Sequence, residues 1–204
     1  MTQTGSSTNA KRHRGFTMIE VLVVLAIGLV LTAMAVPVVV TTMDDYQLRG
    51  AMTSASNLVQ RARTVAIQQN NTQQLYILTV NAQVVLFGEN AANVGVNKPA
   101  ASDQQYWLTK SFSIPGAPTG AGAPPQLTGP NMWGSNVVPK VNVNPYFNSR
   151  GLPCLPNPTV CNQTNGFVYY FRYDSHGVTH WAAVSISPAG RIQSWFWNGA
   201  SWGN

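Results

Sequence analysis

Between Phe16 and Met43 the chain runs for 28 residues with a single charge, Glu20. As a helix this run is about 42 Å long at roughly 1.5 Å per residue, and the hydrocarbon core of a bilayer needs only about 30 Å. A helix that is apolar on every side has no face to turn to water, so it must be covered by lipid or by neighbouring helices. Lys11, Arg12 and Arg14 precede it in a stretch without acids. Such a charge bias keeps the leading end in the cytoplasm and sends everything after Asp44 across.

A secretory signal fits poorly, because its apolar region is about 7 to 15 residues long and ends at a small-residue cleavage site. A plain signal anchor explains the length and the orientation. It leaves Glu20 unexplained, since a carboxylate at membrane depth costs on the order of 3 kcal/mol. A cut between Gly15 and Phe16 accounts for it: the new α-amino group lies about one helical turn from Glu20, on the same chain or on a staggered neighbour. Buried charges persist when paired, and the acid then marks register in assembly.

The stretch "RGFTMIEVLVVLAIGLVLTAMAVP", Arg14 to Pro37, resembles the class III leader and N-terminal helix of type IV pilins and of the pseudopilins of type II secretion. The resemblance implies that a prepilin peptidase cuts after Gly15, that Phe16 is N-methylated, and that Glu20 guides assembly. It also places the family's helix-loosening proline at Pro37. Inside a helix a proline removes one backbone hydrogen bond and clashes with the preceding turn, so a kink or local melting is expected there.

From Leu48 the period becomes amphipathic. Leu48, Met52, Ala55, Leu58, Val59, Ala62, Val65 and Ala66 recur at spacings of three and four, which continues the helix to about Gln69 and gives it a stripe to pack on a folded head. Asp44 and Asp45 mark the point where the rod meets water. The organisation expected is a leader at 1–15, a transmembrane and assembly helix at 16–43, its amphipathic continuation at 44–70 and a β-rich head at 71–204.

The fold class is therefore α+β, a long N-terminal helix packed on an antiparallel β-sheet head. "QQLYILTV" (Gln73 to Val80) and "QVVLFGE" (Gln83 to Glu89) read as a tight hairpin, and "YWLTKSFSI" (Tyr106 to Ile114) as a third strand. Pro115 to Pro130 is a loop. "KVNVNPYFN", "GFVYYFRYD", "HWAAVSIS" and "RIQSWFWN" then follow one another as an antiparallel meander. The pieces "FNSRG" (Phe147 to Gly151) and "ISPAGRIQSW" (Ile186 to Trp195) resemble the C-terminal region of the GspH/FimT group of minor pseudopilins and minor pilins.

Two cysteines, Cys154 and Cys161, sit in the proline-bent stretch "GLPCLPNPTVC". Outside the cytoplasm a disulfide is the natural expectation, closing a short loop and stabilising it by about 2.5 kcal/mol. Two thiols are too few for a structural zinc site without nearby histidines, so no metal and no cofactor are expected. Asp174, His176, His180 and Ser185 are the one grouping that offers a base and a nucleophile. Neither a nucleophile elbow nor a phosphate-cradling loop accompanies it, and the chain reads as no enzyme.

The net charge of +6 is half carried by Lys11, Arg12 and Arg14, so it does not by itself indicate a nucleic-acid partner. Arg172 and Arg191 are the candidate contacts for DNA or another polymer. Relatives in the GspH/FimT group that take up DNA use a basic motif after the glycine that here is Gly190, and only Arg191 stands in it. The aromatic side chains crowding the last strands alternate in a way that places about every second one in a core.

The resemblance implies a structural subunit that reaches the cytoplasmic membrane as a single-pass protein, N-terminus inside and head outside. Its expected partners are the prepilin peptidase, membrane lipid, the inner-membrane assembly platform and other pilins or pseudopilins of a filament, near whose tip it would sit.

Overall fold

The computed structural model describes residues 15–90, 105–116, 118–120, 124, 137–139, 144–154 and 166–204. Two compact units divide the chain, Met1–Met43 and Asp44–Asn204. One helix, α1 (Met18–Gln68), supplies all the described regular structure of the first and the opening element of the second.

In the first unit α1 is bare. It is long and apolar enough to cross a membrane by length and composition, and none of that apolar window is buried. The expected melting at Pro37 does not occur, because α1 continues through it. A proline removes only the bond to the carbonyl four residues back, and the turns on either side keep theirs. The hydroxyls of Thr41 and Thr42 fold back on the Val38 carbonyl at 3.0 and 2.8 Å.

In the second unit the stripe is buried as Leu48, Ala51, Met52, Ala55, Leu58, Val59, Ala62 and Ala66, and Val65 is only half covered. Four alanines let sheet backbone approach closely; a Cβ placed on Gly88 would stand 3.6 Å from that of Ala62. Asp45 is exposed, but Asp44 is buried. The expected exit of both acids into water thus fails for Asp44, for a reason given below.

Two sheets share this helix. The first has the order β3 (Gln105–Trp107), β2 (Gln83–Asn90), β1 (Gln73–Val80), β6 (Tyr146–Phe147), β7 (Pro153–Cys154), with every pair antiparallel. Asn81 and Ala82 both have positive φ, 51° and 61°, as a two-residue hairpin turn of the type that matches strand twist requires. The second sheet has the order β11 (Trp202–Gly203), β10 (Ile192–Trp197), β9 (Val178–Ile186), β8 (Gly166–Ser175), β4 (Phe112–Ser113), and β5 (Val137–Pro139) runs parallel to β8.

Two strand expectations need correction. The run from Tyr106 to Ile114 is not one strand: its ends join different sheets as β3 and β4, with Leu108 buried between them. Nor does the "KVNVNPYFN" run belong to the meander, since β6 pairs with β1 through Gln73–Phe147 and Gln74–Tyr146. Local alternation reveals a strand but not its neighbour. Residues 140–143 and most of Pro115 to Pro130 lie outside the described residues.

Strand alternation sorts the aromatics. Phe167, Tyr169, Phe171 and Tyr173 face the α1 core, while Val168, Tyr170, Ala183, Trp195 and Trp202 form a second cluster behind the sheet. A third cluster lies behind the other sheet, where Tyr76 stacks on Phe87 at 4.9 Å.

One side chain ties α1 to a turn of each sheet. Arg63 donates from Nε to the Gly151 carbonyl at 3.1 Å and from Nη1 to the Gly190 carbonyl at 3.0 Å. Gly151 lies between β6 and β7, and Gly190 between β9 and β10. Both have positive φ, 72° and 80°. A Cβ on Gly151 would come within 2.6 Å of Ile67 Cδ1, and one on Gly190 within 2.9 Å of the Gly151 oxygen.

Replacing Arg63 by Ala removes two charge-assisted bonds and is expected to cost the head about 2 kcal/mol. Gly190→Ala should cost more, because it adds backbone strain and a clash with a backbone atom. Thermal unfolding of the full chain in detergent checks both: equal midpoints for wild type and Gly190→Ala would refute the junction. Tyr169→Phe should unfold at or above the wild-type midpoint, because the fully buried Tyr169 hydroxyl has no hydrogen-bond partner among the described residues and its removal relieves a desolvated group.

Candidate functional site

Among the described residues, Gly15, Phe16 and Thr17 stand directly ahead of α1. Phe16 is 79% exposed, and Met18 and Ile19 are also exposed. Thr17 caps the helix: its Oγ1 accepts from the Glu20 backbone N–H at 3.3 Å, and its carbonyl accepts from the Glu20 and Val21 N–H groups at 3.1 and 3.3 Å. "TMIE" is thus the Thr-x-x-Glu spacing of a capping box. It gives Glu20 a second, local reason to stand here, since a carboxylate in the first turn complements the positive end of the helix dipole. That spacing was legible in the sequence, although the membrane argument for Glu20 does not use it.

A second polar cluster surrounds Asp44, which is 4% exposed. Ser175 Oγ donates to Asp44 Oδ1 at 2.8 Å. His176 Nδ1 lies 2.7 Å from Ser175 Oγ and 3.3 Å from Asp44 Oδ2. The Tyr173 hydroxyl stands 3.3 Å from Asp44 Oδ1 and 2.7 Å from Gln47 Oε1. The serine proton is committed to Asp44, so Nδ1 carries the hydrogen that reaches Ser175. His176 takes positive φ, 49°, in the two-residue turn from β8 to β9, and its side chain is 66% exposed. Burial pushes the Asp44 carboxyl up, but the bonds from Ser175 and His176, the His176 charge and the Tyr173 hydroxyl outweigh it and hold Asp44 below its ordinary value.

Ser175, His176 and Asp44 do not form the relay of a hydrolase. There the serine and the carboxylate sit on opposite ring nitrogens, whereas here both face Nδ1. The grouping anticipated from the sequence is dispersed. Asp174 is exposed, pairs with Arg172 at 3.0 Å and accepts from Thr179 at 2.7 Å. His180 lies beside the Tyr173 ring. Ser185 is buried, where its Oγ accepts from Trp195 Nε1 at 2.9 Å.

Arg172 and Arg191 are not brought together either. Arg172 faces Trp181 across the β8–β9 ladder, and the Arg191 carbonyl accepts from Ser187. The six residue steps from Trp181 to Ser187 correspond to about 20 Å of strand. Cys154 is buried on β7, its sulfur 3.4 Å from the Tyr146 carbonyl oxygen. Cys161 and the leader cations Lys11, Arg12 and Arg14 lie outside the described residues.

Residues 10–36 match the family model described as the prokaryotic N-terminal methylation motif. The chain carries a type IV pilin class III leader. No curated protein and no solved structure matches it. The leader runs directly into the bare apolar part of α1, the combination that pilin-like proteins use for membrane anchoring and for assembly with other pilins after processing by a prepilin peptidase. Behind it comes an α+β head built on the continuation of the same helix.

The Asp44 cluster predicts acid sensitivity of the head. Its carboxyl titrates near pH 3.9 when unfolded and lower when folded. The fold therefore favours the ionised form, and that share of stability is present above about pH 4 and is lost as pH falls through the lower folded value. Asp44→Asn should lower the thermal midpoint at neutral pH and narrow the difference from wild type towards about pH 2. A constant difference across that range would exclude Asp44 as its source.

Proposed function

We propose that this chain is a structural subunit, a minor pilin or pseudopilin of the GspH/FimT kind. It is cleaved between Gly15 and Phe16, methylated on the Phe16 amine, and held in the cytoplasmic membrane by α1 with its head outside until it joins a type II secretion pseudopilus or a type IV pilus near the tip. The carrying observation is the leader match over residues 10–36 joined to a helix with a membrane-fit apolar window of which nothing is buried among the described residues.

In this reading Phe16 and Glu20 act together. Cleavage creates an amine about one turn from the Glu20 carboxylate, and pairing with the amine of a neighbouring subunit makes burial of that charge tolerable only in the correct stagger. Pro37 weakens α1 by one backbone bond, which favours bending during transfer from bilayer to filament. The head carries out no reaction. That reading is supported by the shared nitrogen of His176 and by the dispersal of Asp174, His180 and Ser185. The spacing of Arg172 and Arg191 disfavours a polymer-binding role for that pair.

Intact mass and N-terminal fragment spectra of the protein from host membranes test the processing step. A chain beginning at methylated Phe16 is expected, and one beginning at Met1 in cells with an active prepilin peptidase would sink the reading. Glu20→Ala should leave cleavage intact while removing the subunit from sheared filaments. The expected Cys154–Cys161 bridge would appear in the same spectra as a mass about 2 Da below that of the reduced chain.

A further inference from the structure

The head contains a groove of about 590 Å³ where β10 parts from β9. The β9–β10 register ends at the Ala182–Phe196 pair, and Trp197 pairs onward with Trp202 of β11. The first residues of β9 thus have a strand only on their β8 side among the described residues. The direction of the Thr179 backbone follows from its neighbour. Asp174, opposite Thr179 across the β8–β9 ladder, donates its N–H to Ser111 instead, so the pair is not hydrogen-bonded and the Thr179 N–H and C=O point away from β8. They point into the groove, which Thr179 lines. The Thr179 side chain is turned to Asp174 and does not cover them.

The walls differ in chemistry. On the outer side stand Trp181 and Trp197, part of the cluster behind the sheet. On the helix side stand Asp45 and Arg49 with Phe196. The Arg49 guanidinium carbon lies 4.6 Å from the centre of the Phe196 ring, and neither Asp45 nor Arg49 forms an ion pair among the described residues. One helical turn, about 6 Å, separates these two charges along α1. Side chains two apart on an extended strand are separated by nearly the same length, about 6.7 Å.

The geometry points to a strand-addition site for an extended peptide of a partner protein, running antiparallel to β9, with an apolar residue opposite Thr179 and oppositely charged residues on either side of it. The apolar side chain lies on the Thr179 face, against Trp181 and Trp197. Its two neighbours turn to the helix side, an acid to Arg49 and a base to Asp45. Main-chain bonds to Thr179 give the affinity, and the charge pair gives the selectivity. This inference does not depend on filament assembly, because occupancy is read on the isolated chain.

The test uses the full chain in detergent micelles and two fluorescein-labelled peptides, Gly-Ser-Glu-Val-Lys-Ser-Gly and the same sequence with its Glu and Lys exchanged, followed by fluorescence polarisation. Saturable binding of one charge order in preference to the other is expected. Methylating the valine amide nitrogen, which leaves every side chain in place, should weaken that binding at least about tenfold. Arg49→Glu should weaken it similarly. Thr179→Pro removes the groove-facing N–H and should do the same, whereas Thr179→Val, which loses only the hydroxyl bonded to Asp174, should bind as the wild type does. Equal affinity for the N-methylated peptide, or no saturable binding of either order, overturns the proposal.

Discussion

The fold of the head turns on one guanidinium. Arg63 leaves the exposed shoulder of α1 and holds the carbonyls of Gly151 and Gly190, which belong to turns in two different sheets. The two sheets touch where β2 meets β4 and β7 meets β8, and both lie on the alanine stripe of one helix. Small side chains give close approach but little shape to resist sliding, and the directional bonds of a planar cation supply what they lack. The glycines are demanded by the same junction, because neither turn has space for a Cβ and both need positive φ. The turns in "FNSRG" and "ISPAGRIQSW" are thus two halves of one contact with α1.

A second constraint acts at the start of the head. Asp44 is the first residue of the second unit and the only buried carboxylate among the described residues. Its oxygens are met by the Ser175 hydroxyl and the His176 imidazole at 2.8 and 3.3 Å, both from the β8–β9 hairpin. A charge held here without such partners would be disfavoured, so the cluster makes the hairpin and the helix depend on each other. It lies immediately after the bare apolar stretch, where the packed part of α1 begins.

The membrane-fit half of α1 and the packed half obey different rules within one continuous helix. Within the membrane-fit window of α1 no side chain is buried among the described residues. From Asp44 onwards, side chains at three- and four-residue spacing bury against the sheets. The capping of α1 by Thr17 gives this end of the helix a defined start, directly after Gly15 and Phe16.

Much of this was legible in residues alone. An uninterrupted apolar run, its basic prelude and "GFTMIE" determine a leader and a membrane-fit helix, because hydrophobicity and charge act locally and need no partner to be read. The amphipathic stripe and the strands of the "QQLYILTV" and "GFVYYFRYD" runs follow from period. Tertiary structure alone decided which strands are neighbours, since β6 pairs with β1 across more than sixty intervening residues and alternation carries no information about partners. It also decided the fates of the polar residues. Asp44 reads as a solvated acid until the β8–β9 hairpin closes over it, and Arg63 reads as a surface cation until two distant turns present their carbonyls. Hydrogen bonds between residues about a hundred positions apart depend on the folded path of the chain, and that path is a property of the whole core.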